Sequence, residues 1–318
     1  MLSRGLSVVI PCYRSAGSIG PLVERLRPVL EAQAPGAWEI ILVDDASPDG
    51  TGKTVAALAR AQPGVRAIEL MRNYGQHPAL LCGIRAARFD VVVTTDDDLQ
   101  HPPEELPKLL AALGEDVDVV YGSPAREPHG FFRGLASRIT KRVLTGSMGA
   151  ATAGKVSAWR VFRTKLREAF EQFRGSYVSI DVLLTWGTQR FSHVTVRHDE
   201  RTIGTSNYTF RKLLTHAINM MTGFSTIPLQ LASFVGFLLT GFGLAVMVFV
   251  LVRYAVEGGS APGFPFLACI VSIFSGAQLL CLGIIGEYLG RAHFRLLDRP
   301  PYVVRDVQGA TDGKDGAA

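Results

Sequence analysis

Between residues 6 and 121, short apolar, β-branched runs alternate with amphipathic stretches, and this alternation leaves the chain few possible folds. The runs cover residues 6–10, 38–43, 65–70, 90–94 and 117–121. Helical periodicity fills the gaps at 19–32, 51–61, 78–88 and 103–113. Strand–helix alternation predicts an α/β fold with a doubly wound, mostly parallel sheet. Ligands of such sheets bind in the crevice beyond the carboxyl ends of the strands. Polar residues fall at those ends: Pro11-Cys12-Tyr13 after the first run, Asp44-Asp45 after the second, and Asp96-Asp97-Asp98 after the fourth.

Three carboxylates in a row at a strand exit repel one another, and desolvating them is costly unless a cation is present. The D-x-D spacing lets Asp96 and Asp98 reach one hard divalent ion, Mg²⁺ or Mn²⁺, both of which prefer oxygen ligands. A solvated acidic turn is the other reading of an isolated D-x-D. Tyr13 offers a flat face and a hydroxyl to a nucleobase, or simply caps the strand. Asp45 offers acceptors to a base or ribose, or opens the Ser47-Pro48-Asp49-Gly50 turn.

Residues 125–208 are arginine-rich and less regular, with a basic helix predicted over 131–144 and a strand over 191–196. Residues 209–224 then carry an amphipathic pattern that suits a helix lying in a membrane interface. Two further segments, 228–252 and 264–286, are almost free of charge. Each is long enough for a hydrocarbon core of about 30 Å, which takes about 20 apolar residues. Arg211, Lys212, Arg291, Arg295 and Arg299 flank them outside, and the intervening loop is short. The positive-inside bias therefore predicts a multi-pass membrane hairpin, with the polar N-terminal part and both ends cytoplasmic. Glu287 and Arg291 suit an i,i+4 pair near that interface.

The net charge of +5 is modest and gathers beside these segments, which points to a lipid surface. With no zinc-finger spacing or aromatic–basic RNA motif, nucleic acid is not an expected partner. Cys12, Cys82, Cys269 and Cys281 form no CxxC pair and read as reduced structural residues. The first run begins at Leu6, so no secretory leader is expected, and the Gly/Asp-rich residues after 308 read as disordered. The expected organisation is a catalytic domain over 1–208, a juxtamembrane helix over 209–227, the hairpin over 228–290 and a tail over 291–318. No GxGxxG follows the first run, which disfavours a dinucleotide oxidoreductase.

Several strings together resemble family 2 glycosyltransferases of the GT-A fold, and within them the polyprenyl-phosphate glycosyltransferases. They are Val9-Ile10-Pro11-Cys12-Tyr13, Val43 to Thr51, Arg72-Asn73-Tyr74-Gly75-Gln76-His77, Asp96 to Glu104, Arg201 to Tyr208 and Gly286 to Arg291. The resemblance implies transfer of one sugar from a nucleotide sugar to a polyprenyl phosphate such as undecaprenyl phosphate. It also implies that Asp96 and Asp98, with Gln100, hold the metal. By the same resemblance Pro11, Tyr13 and Asp45 frame the nucleoside, with Asp97 and Ser206 on the donor side. Arg201 would contact phosphate, and Arg126 and Arg133 would lie near the donor or lipid phosphate.

Membrane relatives assemble as tetramers, so a homo-oligomer is an expected partner. The chain departs from the family at Asp97, where alanine is usual, and at Asn207, where a lysine is usual. It also has no aspartate within 155–160, where some relatives carry a proposed base. A processive polysaccharide synthase, or a non-catalytic scaffold or sensor built on a decayed transferase, are the alternatives.

Overall fold

The computed structural model describes residues 5–124, 154–175, 178–199, 227–257 and 263–309. The chain divides into two units, residues 1–213 with 299–318, and residues 214–298.

The first unit holds one eight-stranded sheet in the order β7-β5-β6-β4-β1-β2-β3-β8. Its strands are β1 (Leu6–Cys12), β2 (Trp38–Asp44), β3 (Val65–Leu70), β4 (Val91–Thr94), β5 (Val119–Pro124), β6 (Arg160–Arg163), β7 (Phe191–Val196) and β8 (Val304–Gln308). Helices α1 (Ile19–Gln33), α2 (Thr51–Ala61), α3 (Gln76–Ala86), α4 (Leu106–Ala112) and α5 (Ile180–Gly187) connect them. A short 3₁₀ turn, Pro103–Glu105, leads into α4, so the stretch expected as one helix is split. Strands β1 to β4 pair in parallel, as do β5 and β7, whereas β6 and β8 run against their neighbours.

β1 and β4 are buried along their whole length because helices cover both faces of the sheet, which explains their largely apolar sequences; Ser7 within β1 is buried with its hydroxyl donating to Glu39 at 2.7 Å. On one face Val8, Ile10, Val93, Val120 and Val161 join Ile19, Leu22, Val23, Leu26 and Leu30 of α1 in a single core. On the other, α3 lies close enough to β1 that a Cβ on Gly83 would clash with Val9 Cγ1. The strand order reverses between β1 and β4, which opens the crevice at a topological switch point.

Two strands and one helix were not expected. β6 is four residues long and ends in Arg160 and Arg163; its buried cation breaks the apolar pattern that marks central strands. β8 is a polar edge strand, open to solvent along most of its length, as edges usually are. It closes the β3 side of the sheet, with Met71 N–H donating to Val303 O at 2.9 Å and Arg305 paired to Glu69 at 2.8 Å. Helix α5 is short and follows irregular sequence.

Among the described residues, the second unit holds α6 (Ile227–Glu257) and α7 (Phe264–Leu296). Phe274 nests against Gly243, and the Cys281 thiol reaches Ala232 O at 3.6 Å, so the two helices pack antiparallel. Leu229–Arg253 is long and apolar enough to cross a membrane, with a mean hydropathy of 2.6. The second apolar stretch, Phe274–Gly290, is shorter. The basic helix at 131–144 and the amphipathic helix at 209–224 lie outside the described residues, as do residues 310–318.

Candidate active site

The exits of β1, β2 and β4 meet at the switch point, and each contains a residue forced into the left-handed backbone region. Arg14 has φ 57°, Ala46 52° and Leu99 62°. Such conformations cost about 1–3 kcal/mol each in non-glycine residues and gather where a site needs them.

The three exits are cross-tied. Asp45 N–H donates to Cys12 O at 3.0 Å, Thr95 N–H to Val9 O at 3.3 Å, and Ser15 N–H to Thr51 Oγ1 at 2.9 Å. Asp97 turns back to accept the Tyr13 N–H at 3.1 Å, and burial raises its pKa. Asp98 is buried and accepts the Gln100 N–H at 3.1 Å. Asp96 is half-buried and accepts from Gln76 Nε2 at 2.6 Å.

Asp45 lies 2% exposed, and burial pushes its pKa up. Its two oxygens accept the backbone N–H groups of Tyr74 and Gly75 at 2.7 and 2.8 Å. This carboxylate therefore staples β2 to the loop that starts α3, while α3 delivers Gln76 to Asp96. Tyr13 is 39% exposed, with the Arg14 guanidinium 5.4 Å from its ring centroid, so it offers an accessible aromatic side chain. Pro11 is buried in β1, paired with Val43.

Asp199 N–H donates to Gln100 O at 3.0 Å, which brings the segment after β7 against the acidic turn. Arg126, Arg133, Arg201 and Ser206 lie outside the described residues. Within 155–160 no aspartate exists, and the carboxylate the fold brings there is Asp181 of α5. Arg160 grips it through Nε and a terminal nitrogen at 2.8 and 3.1 Å.

The acidic turn fits a hard divalent cation. Its donors are oxygens, and the nearby Cys12 thiol is fully buried with its pKa pushed well up by that burial. Among the described residues no three His, Cys, Asp or Glu side chains form a ready cage. A cation held by one or two carboxylates and completed by ligand phosphates matches such an open donor set.

Residues 7–173 match the model for glycosyl transferase family 2. The chain belongs to this family. It is 36% identical over 307 residues to an undecaprenyl-phosphate 4-deoxy-4-formamido-L-arabinose transferase of Proteus mirabilis, covering 96% of this chain and 94% of the relative. A transferase of the same description from Serratia proteamaculans is 36% identical over 310 residues, at the same coverages. A crystal structure of glucosyl-3-phosphoglycerate synthase from Mycobacterium tuberculosis with Mn²⁺, UDP and phosphoglyceric acid matches with a TM-score of 0.51 at 19% identity. That match covers 69% of this chain and 76% of the other, and shows that the family 2 core here has the GT-A fold.

Gln76, Arg160 and Asp181 escaped sequence reasoning as site residues. Gln76 stood inside the Arg72–His77 string, but nothing in the string says that its amide meets Asp96.

Proposed function

We propose that this family 2 glycosyltransferase moves a single sugar from a nucleotide sugar to a polyprenyl phosphate at a membrane surface. The observation that carries this reading is the meeting of Tyr13, Asp45 and the Asp96–Asp98 turn at the β1/β4 switch point. The near full-length likeness to undecaprenyl-phosphate sugar transferases supports the acceptor.

Asp96 and Asp98, with Gln100, hold a divalent cation, Mg²⁺ or Mn²⁺. Bound there, it supplies Lewis-acid neutralisation of the donor's diphosphate. Tyr13 faces the base, and Asp45, Asp97 and Pro11 shape the wall behind it. Arg201, two residues beyond the segment tied to Gln100, contacts phosphate; its planar fork suits that ligand. Arg126, Arg133 and Ser206 complete the phosphate side.

A phosphate oxygen of the lipid attacks the anomeric carbon from the face opposite the nucleoside diphosphate. The bond to that leaving group breaks, and the configuration inverts. A phosphomonoester is already anionic at neutral pH, with a second pKa of about 6, so its attack needs no base. The locked state of Asp181 agrees with a base-free attack.

Helices α6 and α7 each cross the membrane once, and residues 209–227 lie in its interface. The return of residues 299–309 to the first unit supports an even number of crossings, because both ends of the hairpin join one unit. The basic flanks put that unit in the cytoplasm. A Cβ added at Gly236 or Gly241 would meet none of the described residues within 4 Å outside its own helix, which suits close contact in a homo-oligomer such as a tetramer.

The test is to incubate purified enzyme with a panel of labelled nucleotide sugars, undecaprenyl phosphate and Mn²⁺, and to read the lipid by mass spectrometry. One added sugar is expected with one donor class. A panel that leaves the lipid unmodified while sugar appears on another acceptor rejects the reading.

A further inference from the structure

Behind the acidic turn lies a buried charge network that the transfer reaction, as described, does not use. Thr94, Arg160 and Tyr121 stand in one row across β4, β6 and β5. Arg160 is 3% exposed and Asp181 8%. Asp181 accepts from Arg160 Nε and Nη2, and its Oδ1 also accepts the Tyr121 hydroxyl at 3.1 Å. The remaining nitrogen, Nη1, faces away from that carboxylate and donates to Thr94 Oγ1 at 3.1 Å.

Thr94 is the last residue of β4, two before Asp96. The ion pair is thus a fixed dipole whose positive end meets the strand that carries the aspartates. Burial works against the Arg160 charge, yet Asp181, then Tyr121 and last Asp96, hold its pKa above the ordinary arginine value. A buried pair is often no more stable than apolar side chains of the same volume, so stability alone does not explain its position.

We infer that Arg160 is a positioning residue for the donor site. Its charge offsets repulsion within Asp96–Asp98 before a cation arrives, and Asp181 sets how much of that charge reaches the turn. The inference rests on the proposed role of these aspartates as cation ligands. It has a signed consequence: Arg160 opposes cation entry, and Asp181 favours it.

The experiment is titration of the purified full-length chain in detergent with Mn²⁺ alone, reading free Mn²⁺ by electron paramagnetic resonance. Arg160→Met is expected to bind Mn²⁺ about fivefold more tightly, and Asp181→Asn about two- to threefold more weakly, because Asp181 lies on the far side of the guanidinium and one charge acts on a dication less strongly at longer range. Arg160→Lys, which keeps the charge, is expected to match the wild type.

Either single neutral variant leaves a buried partner unpaired and can fail to fold. The double variant Arg160→Met/Asp181→Leu removes the dipole without leaving an orphan charge. It is expected to bind Mn²⁺ about twofold more tightly than the wild type. A purely structural network predicts weaker binding in every variant, and that result, or a double variant no tighter than wild type, overturns the inference while leaving the metal reading intact. No Mn²⁺ uptake by the wild type overturns both.

Discussion

Replacing Asp45 with asparagine separates the loop-stapling role seen in the structure from direct contact with a nucleoside. Its two oxygens accept one backbone N–H each, from Tyr74 and Gly75. Asparagine keeps one oxygen and turns an NH₂ group toward the other donor. One charge-assisted bond is lost, worth about 1.5–3 kcal/mol. Desolvation of the carboxylate offsets part of this, since burial already raises the pKa of Asp45, so the lower end of the range applies. The Asp45→Asn chain should therefore open the 72–77 loop about tenfold more often, and Gln76 should leave Asp96 with it.

Hydrogen exchange of the peptide spanning Tyr74 and Gly75 reads the opening directly and should quicken about tenfold, while kcat/KM for sugar transfer falls only as far as the closed population does. Wild-type exchange in that peptide, together with a raised KM for the donor, would refute the staple and return Asp45 to a ligand-contacting role.

Three further outcomes follow from the packing. Gly83→Ala drives a methyl into Val9 Cγ1 and places it 3.1 Å from Val43 Cγ2, so stability should fall by about 1–3 kcal/mol; an unchanged Tm contradicts this. Stopping the chain after Asp298 removes β8 and bares the β3 edge, so the truncated enzyme should aggregate on size-exclusion chromatography in detergent; a monodisperse peak argues against that. Cys12 and Cys82 are buried, and burial pushes the Cys82 thiol up to about 12, so both should react with maleimide only after unfolding; rapid labelling of the folded enzyme would show the sites to be open.

Much of the fold was legible because the central parallel strands are buried on both faces. β1 and β4 are mostly apolar, and the polar residues they carry, Ser7 and Thr94, donate to Glu39 and to Ala158 O, so the charged exits stand out by contrast. β6 was illegible for the opposite reason. Arg160 is buried in a central strand only because Asp181, 21 residues later, neutralises it, and no local pattern records that partnership. β8 was hidden because an edge strand needs few apolar residues, and its partner β3 lies more than 200 residues earlier.

The site divides in the same way. Carboxylates clustered at strand exits were visible, since adjacent like charges demand an explanation wherever they occur. The direction each one faces was not. Asp97 turns back to Tyr13 N–H and Asp45 to the α3 loop, and both are backbone contacts that any residue type could offer.

The central claim concerns the acidic turn, and Asp98→Asn tests it most directly. The measurement is the rate of single-sugar transfer to undecaprenyl phosphate at saturating donor and Mn²⁺, for the variant and the wild type side by side. The account predicts a loss of at least about a hundredfold in kcat, in the range seen when one group stabilising developing charge is removed. Transfer by Asp98→Asn at the wild-type rate would contradict it.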